Sequence, residues 1–146
     1  MTEIRFNVAG LPIAQGSKRI VPTAQGPRAV EGNEKKLKPW RQEVAAAARA
    51  AANEVDIVFV GPVVVFVSFY FPRPKAHYGT GKNANVLKQG APQWKATAPD
   101  IDKLVRSLLD GLTASGVVRD DAQVVAVTAK KMYGSPGAWV TLRAPE

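Results

Sequence analysis

ATAPDIDKLVRSLLDGL (residues 96–112) and GVVRDDAQVVAV (residues 116–127) hold five of the chain's six aspartates: Asp100, Asp102, Asp110, Asp120 and Asp121. The rest of the chain is basic, with 20 Lys and Arg against 12 Asp and Glu in all. Like charges held close together weaken a fold unless something positive compensates them. The candidates are basic side chains, a helix N-terminus or a bound metal ion. In the first segment Ile101, Leu104, Val105, Leu108 and Leu112 recur at helical spacing, which predicts a helix from Asp100 to about Ala114 with those residues as its buried stripe. AQVVAVTAKKMYG (residues 122–134) reads as a strand, and AWVTLR (residues 138–143) is expected to pair with it across GSPG as a hairpin.

Outward from this region, residues 62–71 (PVVVFVSFYF) are apolar on both sides, as in a strand at the centre of a sheet. EIRFNV (residues 3–8) alternates Ile4, Phe6 and Val8 with polar residues and reads as a half-buried strand. A helix is expected to begin near Pro39, at its first position, with Trp40, Val44, Ala47, Ala48 and Ala51 on a narrow apolar face. Residues 15–38 and 72–98 show no clear periodicity and read as long loops. The order β–α–β–α–β–β predicts an α+β fold: a single domain over residues 1–146, with a mixed β-sheet and two main helices packed on one face.

Composition narrows the chemistry. The chain has no cysteine, which excludes thiol catalysis and thiolate zinc sites. His77 is its single histidine, which excludes a multi-histidine metal site. The formal charge of +8 points to an acidic partner, nucleic acid before anionic membrane. Residues 73–98 carry Arg73, Lys75, Lys82, Lys88 and Lys95 and no acid. The N-terminus lacks the pattern of a signal peptide, and the apolar run at 57–71 is too short for a spanning helix, so no membrane association and a cytoplasmic location are expected.

Each acidic pair has two readings. Asp100 and Asp102 at a helix start cap free N–H groups, or they hold a cation. Asp120 and Asp121 form a turn before a strand, or they join the same site. If the strand's start meets the helix's start, three or four carboxylates converge, a donor set suited to Mg²⁺ or Mn²⁺. Arg106, one turn after Asp102, either pairs with it or faces a phosphate.

The run PDIDKLVRSLLDGLTASGVVRDDAQVVAVTAKKMYG (residues 99–134) resembles the RusA family of Holliday-junction resolvases, often carried by phages and prophages. That family shows a D-x-D-N-L-x-K helix start, a downstream DAL and a DDxQV strand start. The resemblance implies a RusA-like fold and a homodimeric, Mg²⁺-dependent endonuclease that makes paired nicks in branched DNA, the four-way junction, during recombination and repair. It places catalysis on Asp100, Asp102, Asp121 and Arg106, metal binding on the three aspartates, and an auxiliary acid at Asp120. A phage-encoded member would act in the bacterial host's cytoplasm. Two positions depart from the pattern: Lys103 stands where the family has asparagine, and Arg106 where it has lysine. A planar fork there replaces a point charge. Lys18, Arg19, Arg73, Lys75, Lys82 and Lys103 are the expected DNA contacts, with His77, Tyr78 and Trp94 as stacking groups. The rival readings are a non-catalytic branched-DNA-binding protein, whose acids cap the helix or hold a structural ion, and a metal-dependent nuclease for flaps or forks.

Overall fold

The computed structural model describes residues 2–16, 18–31 and 34–146, and the backbone alone at residues 18, 19 and 29–31. In chain order its elements are β1 (Glu3–Ala9), β2 (Lys18–Thr23), β3 (Gly26–Glu31), α1 (Glu34–Val55), β4 (Val63–Phe71), α2 (Ile101–Ser115), β5 (Val124–Tyr133) and β6 (Gly137–Arg143). β4 buries every second residue from Val63 to Phe71 and half-buries those between, as its two-sided apolar sequence requires. It lies inside a four-stranded sheet of order β1-β6-β4-β5, antiparallel except for the parallel β4–β5 pair. That mixed sheet with two helices is the α+β fold expected.

One continuous core joins Ile4, Phe6 and Val8 of β1, alternate residues of β4 and β6, and the inner faces of α1 and α2. The helices touch closely at Gly111, where an added Cβ would stand 2.7 Å from Cγ1 of Val44. Arg41 of α1 also donates to Asp110 of α2 at 2.9 Å. The opposite face of the sheet is more open: Trp139 is 58% exposed, and the Arg143 guanidinium stacks 4.6 Å from the Phe66 ring centre. Among the described residues, no helix is long and apolar enough to cross a membrane.

Four local expectations need correcting. β6 does not pair with β5; it lies between β1 and β4, antiparallel to both. Residues 93–95 already take the outer edge of β5, through Tyr133 N–H to Gln93 O and Lys95 N–H to Lys131 O. GSPG therefore steps across the end of β4, and Ala138, Val140 and Leu142 are buried opposite Val8, Phe6 and Ile4. The loop expected at 15–38 contains the β2–β3 hairpin, whose alternation is masked by charges and by the facing prolines Pro22 and Pro27. α1 starts at Glu34, so Pro39 is inside the helix rather than at its first position. Its missing N–H leaves the carbonyl of exposed Lys35 to water, while the same turn buries Leu37. Ile101, expected in the buried stripe of α2, is 38% exposed.

Candidate active site

α2 begins immediately after Pro99. Asp100 is its N-cap residue: its backbone is extended and its carbonyl accepts the N–H of Leu104 at 3.2 Å. Its carboxylate makes no capping hydrogen bond. The capping explanation for this aspartate therefore fails, and an exposed carboxylate is left at the positive end of the helix. Asp102 is exposed in the first turn. Arg106, one turn on, is also exposed, and among the described residues the ion pairs are Arg5–Glu3 and Arg41–Asp110, not Asp102–Arg106. Lys103 is half-buried, and its carbonyl accepts the N–H of Gln15 at 3.1 Å.

The segment leading into Asp100 is fastened to the sheet. The Nζ of Lys131 on β5 donates to the carbonyls of Thr97 and Pro99, each at 2.7 Å. Sequence reading passed over Lys131 because a lysine near a strand end looks like a solvated charge. Nothing in the sequence marks it, since its place opposite buried Phe69, which turns it toward the helix side of the sheet, is set by strand pairing.

The second acidic pair is built differently. Asp120 caps the short 3-10 turn Asp121–Gln123, accepting the N–H of Ala122 at 2.8 Å. Gln123 completes that capping box. Its Oε1 accepts the N–H groups of Arg119 at 2.7 Å and Asp120 at 3.2 Å, and its Nε2 donates to the carbonyls of Phe59 and Gly61. The glutamine of DDAQV thus ties the acidic turn to the chain just before β4. The Ala122 N–H, then the Asp121 side chain, hold the Asp120 carboxyl below the usual carboxylate range. Asp121 is pushed the other way, first by the hydrogen bond it shares with Asp120, then by lost hydration and the charges of Asp120 and Asp110. Two adjacent carboxylates that cannot both ionise freely are a place where a cation is favoured.

The two pairs do not meet within one chain. Asp121 senses Asp110, which stands ten residues beyond Asp100, about 15 Å along the helix. Along β5, Lys131 beside Pro99 is seven residues from Val124, about 23 Å in an extended strand. β5 runs parallel to β4 and α2 returns between them, so the acids at the start of α2 and at the start of β5 lie at opposite ends of the layer. Among the described residues no three Asp, Glu, His or Cys side chains are grouped to hold a metal ion. A pair still suits Mg²⁺, a hard cation often held by one or two carboxylates plus substrate phosphates.

The basic segments divide in role. Lys75 and Lys82 are exposed. Arg73 is engaged within its own loop: Nη1 donates to Pro92 O at 2.7 Å and lies 3.3 Å from Nδ1 of His77, and the guanidinium stands 5.3 Å from the Tyr133 ring centre. His77 meets Tyr133 edge-on at 4.7 Å. Tyr78 is half-buried and Trp94 is 54% exposed. Lys18 and Arg19 open β2, and their side chains lie outside the described residues.

Comparison with protein families matches residues 10–143 to the model described as Endodeoxyribonuclease RusA. No curated protein matches the chain.

Proposed function

Because the chain belongs to the RusA endodeoxyribonuclease family, we propose that it is a Mg²⁺-dependent, structure-specific nuclease that resolves four-way DNA junctions by paired nicks, in cytoplasmic recombination and repair. The observation that carries the reading is the Asp100 carboxylate, placed at a helix N-terminus yet unused for capping. Asp102 stands beside it, exposed in the first turn. This arrangement suits a site that receives a cation and a phosphate rather than one that only stabilises a helix.

Asp100, Asp102 and Asp121 are the residues that would hold Mg²⁺, with Asp120 as an auxiliary acid; Mn²⁺ has the same preference for oxygen ligands. When bound, the metal supplies charge stabilisation and an activated water. The remaining work falls to this chain's own groups. Arg106, without an ion-pair partner among the described residues, takes the charge of a phosphate oxygen. Lys131 holds the Thr97–Pro99 backbone so that the Asp100 carboxylate stands at a fixed position. Exposed Lys75 and Lys82, with Lys103, Lys18 and Arg19, bind the DNA backbone and make affinity depend on salt.

A homodimer accounts for paired nicks, since a two-fold axis presents two equivalent sites to two strands. It also accounts for the separation of the acids: Asp100 and Asp102 of one copy complete a site with Asp121 of the other. The test is cleavage of labelled four-way junction, duplex and flap DNA by the purified protein, with and without Mg²⁺. Symmetric nicks in the junction alone, only with Mg²⁺, are expected. Binding without cleavage in any metal would leave a branched-DNA-binding protein, and equal cutting of flaps would remove the junction assignment.

A further inference from the structure

A cleft of about 330 Å³ opens beside Asp100, and among the described residues no acid lines it. Its apolar lining comes from Leu11 and Pro12 after β1, Phe71 and Pro72 at the end of β4, and Pro99. Two cations, Lys36 and Lys95, complete it. Lys95 is held in place: its Nζ donates to Thr97 Oγ1 at 3.0 Å and stands 5.4 Å from the ring centres of both Phe71 and Tyr133.

The walls are tied to the fold independently of one another. Lys131 pins the Thr97–Pro99 segment to β5. The hydroxyl of buried Ser107 donates to the carbonyl of Ile13 at 2.6 Å, which holds the loop after β1 against α2. The N–H of Gly134 donates to the carbonyl of Phe71 at 2.9 Å. The cleft is therefore part of the packed structure and not an opening between free loops.

We infer that this cleft is a subsite for one unpaired nucleobase of the DNA, captured beside the scissile phosphate. The inference rests on the nuclease reading above. Apolar walls of leucine, proline and phenylalanine select an apolar body, and two lysines with no acid among the described lining residues select an anionic one; a nucleotide within a DNA strand offers both, a base and a phosphate. The volume is at the lower end of small-ligand pockets, which suits a single base and excludes a base pair. A base in continuous duplex must be unstacked before it can enter, and the cost is least where it is already unpaired. Such bases occur at a branch point. Pro99 lines the cleft and Asp100 follows it, so capturing a base sets which phosphate reaches the acids.

The test uses four-way junctions carrying 2-aminopurine at each nucleotide flanking the branch point, bound by the full chain without divalent metal so that the DNA stays intact. Emission at one position is expected to rise on binding and to be protected from acrylamide. Leu11→Trp fills the cleft from a side chain that is 49% exposed and so leaves folding intact. It should abolish the protection and lower the cleavage rate at least tenfold, with junction affinity within threefold of wild type. Leu11→Ala, which leaves the cleft open, should keep the protection. A junction that is bound, and cut on adding Mg²⁺, with no position protected would overturn the subsite and leave the nuclease reading standing. Protection that survives Leu11→Trp would also overturn it. Protection without cleavage in any metal would support the subsite and overturn the nuclease reading instead.

Discussion

Lys131 Nζ lies 2.7 Å from the carbonyl oxygen of Pro99, so β5 fixes the residue on which the Asp100 carboxylate depends for its position. A second bond of the same length runs to Thr97. Bonds from an ammonium to a carbonyl contribute more than neutral ones, about 1.5–3 kcal/mol each at full strength and less where water competes. Lys131→Met should slow junction cleavage by roughly 10- to 100-fold, the scale of loss that a displacement of about 1 Å produces at a catalytic group. Junction affinity measured without metal should change little, and Lys131→Arg should restore part of the rate. An unchanged rate in Lys131→Met would remove the residue from any positioning role.

The separation of Asp100 and Asp102 from Asp121 predicts complementation between inactive chains. Asp100→Asn and Asp121→Asn should each abolish cleavage as homodimers. Co-expressed with different tags and purified as the mixed dimer, they leave one site with both substitutions and one with neither. Nicking of a single strand should return. If every acid of a site comes from one chain, both sites of the mixed dimer are damaged and no activity appears. The readout is junction nicking by the doubly tagged species.

Asp121 carries a stability consequence whose sign follows from its surroundings. Its carboxyl is held above the usual range in the folded chain, so its contribution to stability is full at acid pH and is lost as pH rises through the raised value. Asp120 is shifted down, and its contribution is present above the ordinary range and lost as pH falls through the lowered value. Asp121→Asn should therefore melt above wild type near pH 7 in metal-free buffer. The difference should vanish where Asp121 is protonated in both folded and unfolded chains. Added Mg²⁺ should raise the melting temperature of wild type more than that of the variant. A variant that melts lower at neutral pH would contradict the repulsion.

Gly111→Ala tests the seam between the helices. Alanine favours helix by about 1 kcal/mol over glycine, but its Cβ would stand 2.7 Å from Val44 Cγ1 and 3.2 Å from the carbonyl oxygen of Arg41. Overpacking of this kind costs about 1–3 kcal/mol. Net destabilisation is expected in denaturant titration, and Gly111→Ala combined with Val44→Ala should recover part of it. A gain in stability from the single change would show that the helices can separate without cost.

The strands at 3–8 and 62–71 and the helix after Pro99 were legible because their apolar residues repeat at the period of the element they form. The acidic motif was legible as well, since D-x-D and DDAQV are local patterns and their spacing belongs to the chain itself. The β2–β3 hairpin left little trace, because prolines and charges interrupt its alternation and pairing supplies what the pattern lacks. Strand order was not local information. β5 and β6 are adjacent in sequence, yet residues 93–95 hold one edge of β5 and β4 holds the other. β6 therefore crosses to the far side of β4, where it buries its apolar side chains opposite β1. The same parallel β4–α2–β5 path decided the site: sequence named Asp100, Asp102 and Asp121 as a set, and the tertiary structure put them at opposite ends of the layer. A helix of 15 residues is about 22 Å long, and a strand returning beside it starts at the far end. Residue identity follows from chemistry written along the chain, whereas proximity follows from how packed elements run past one another.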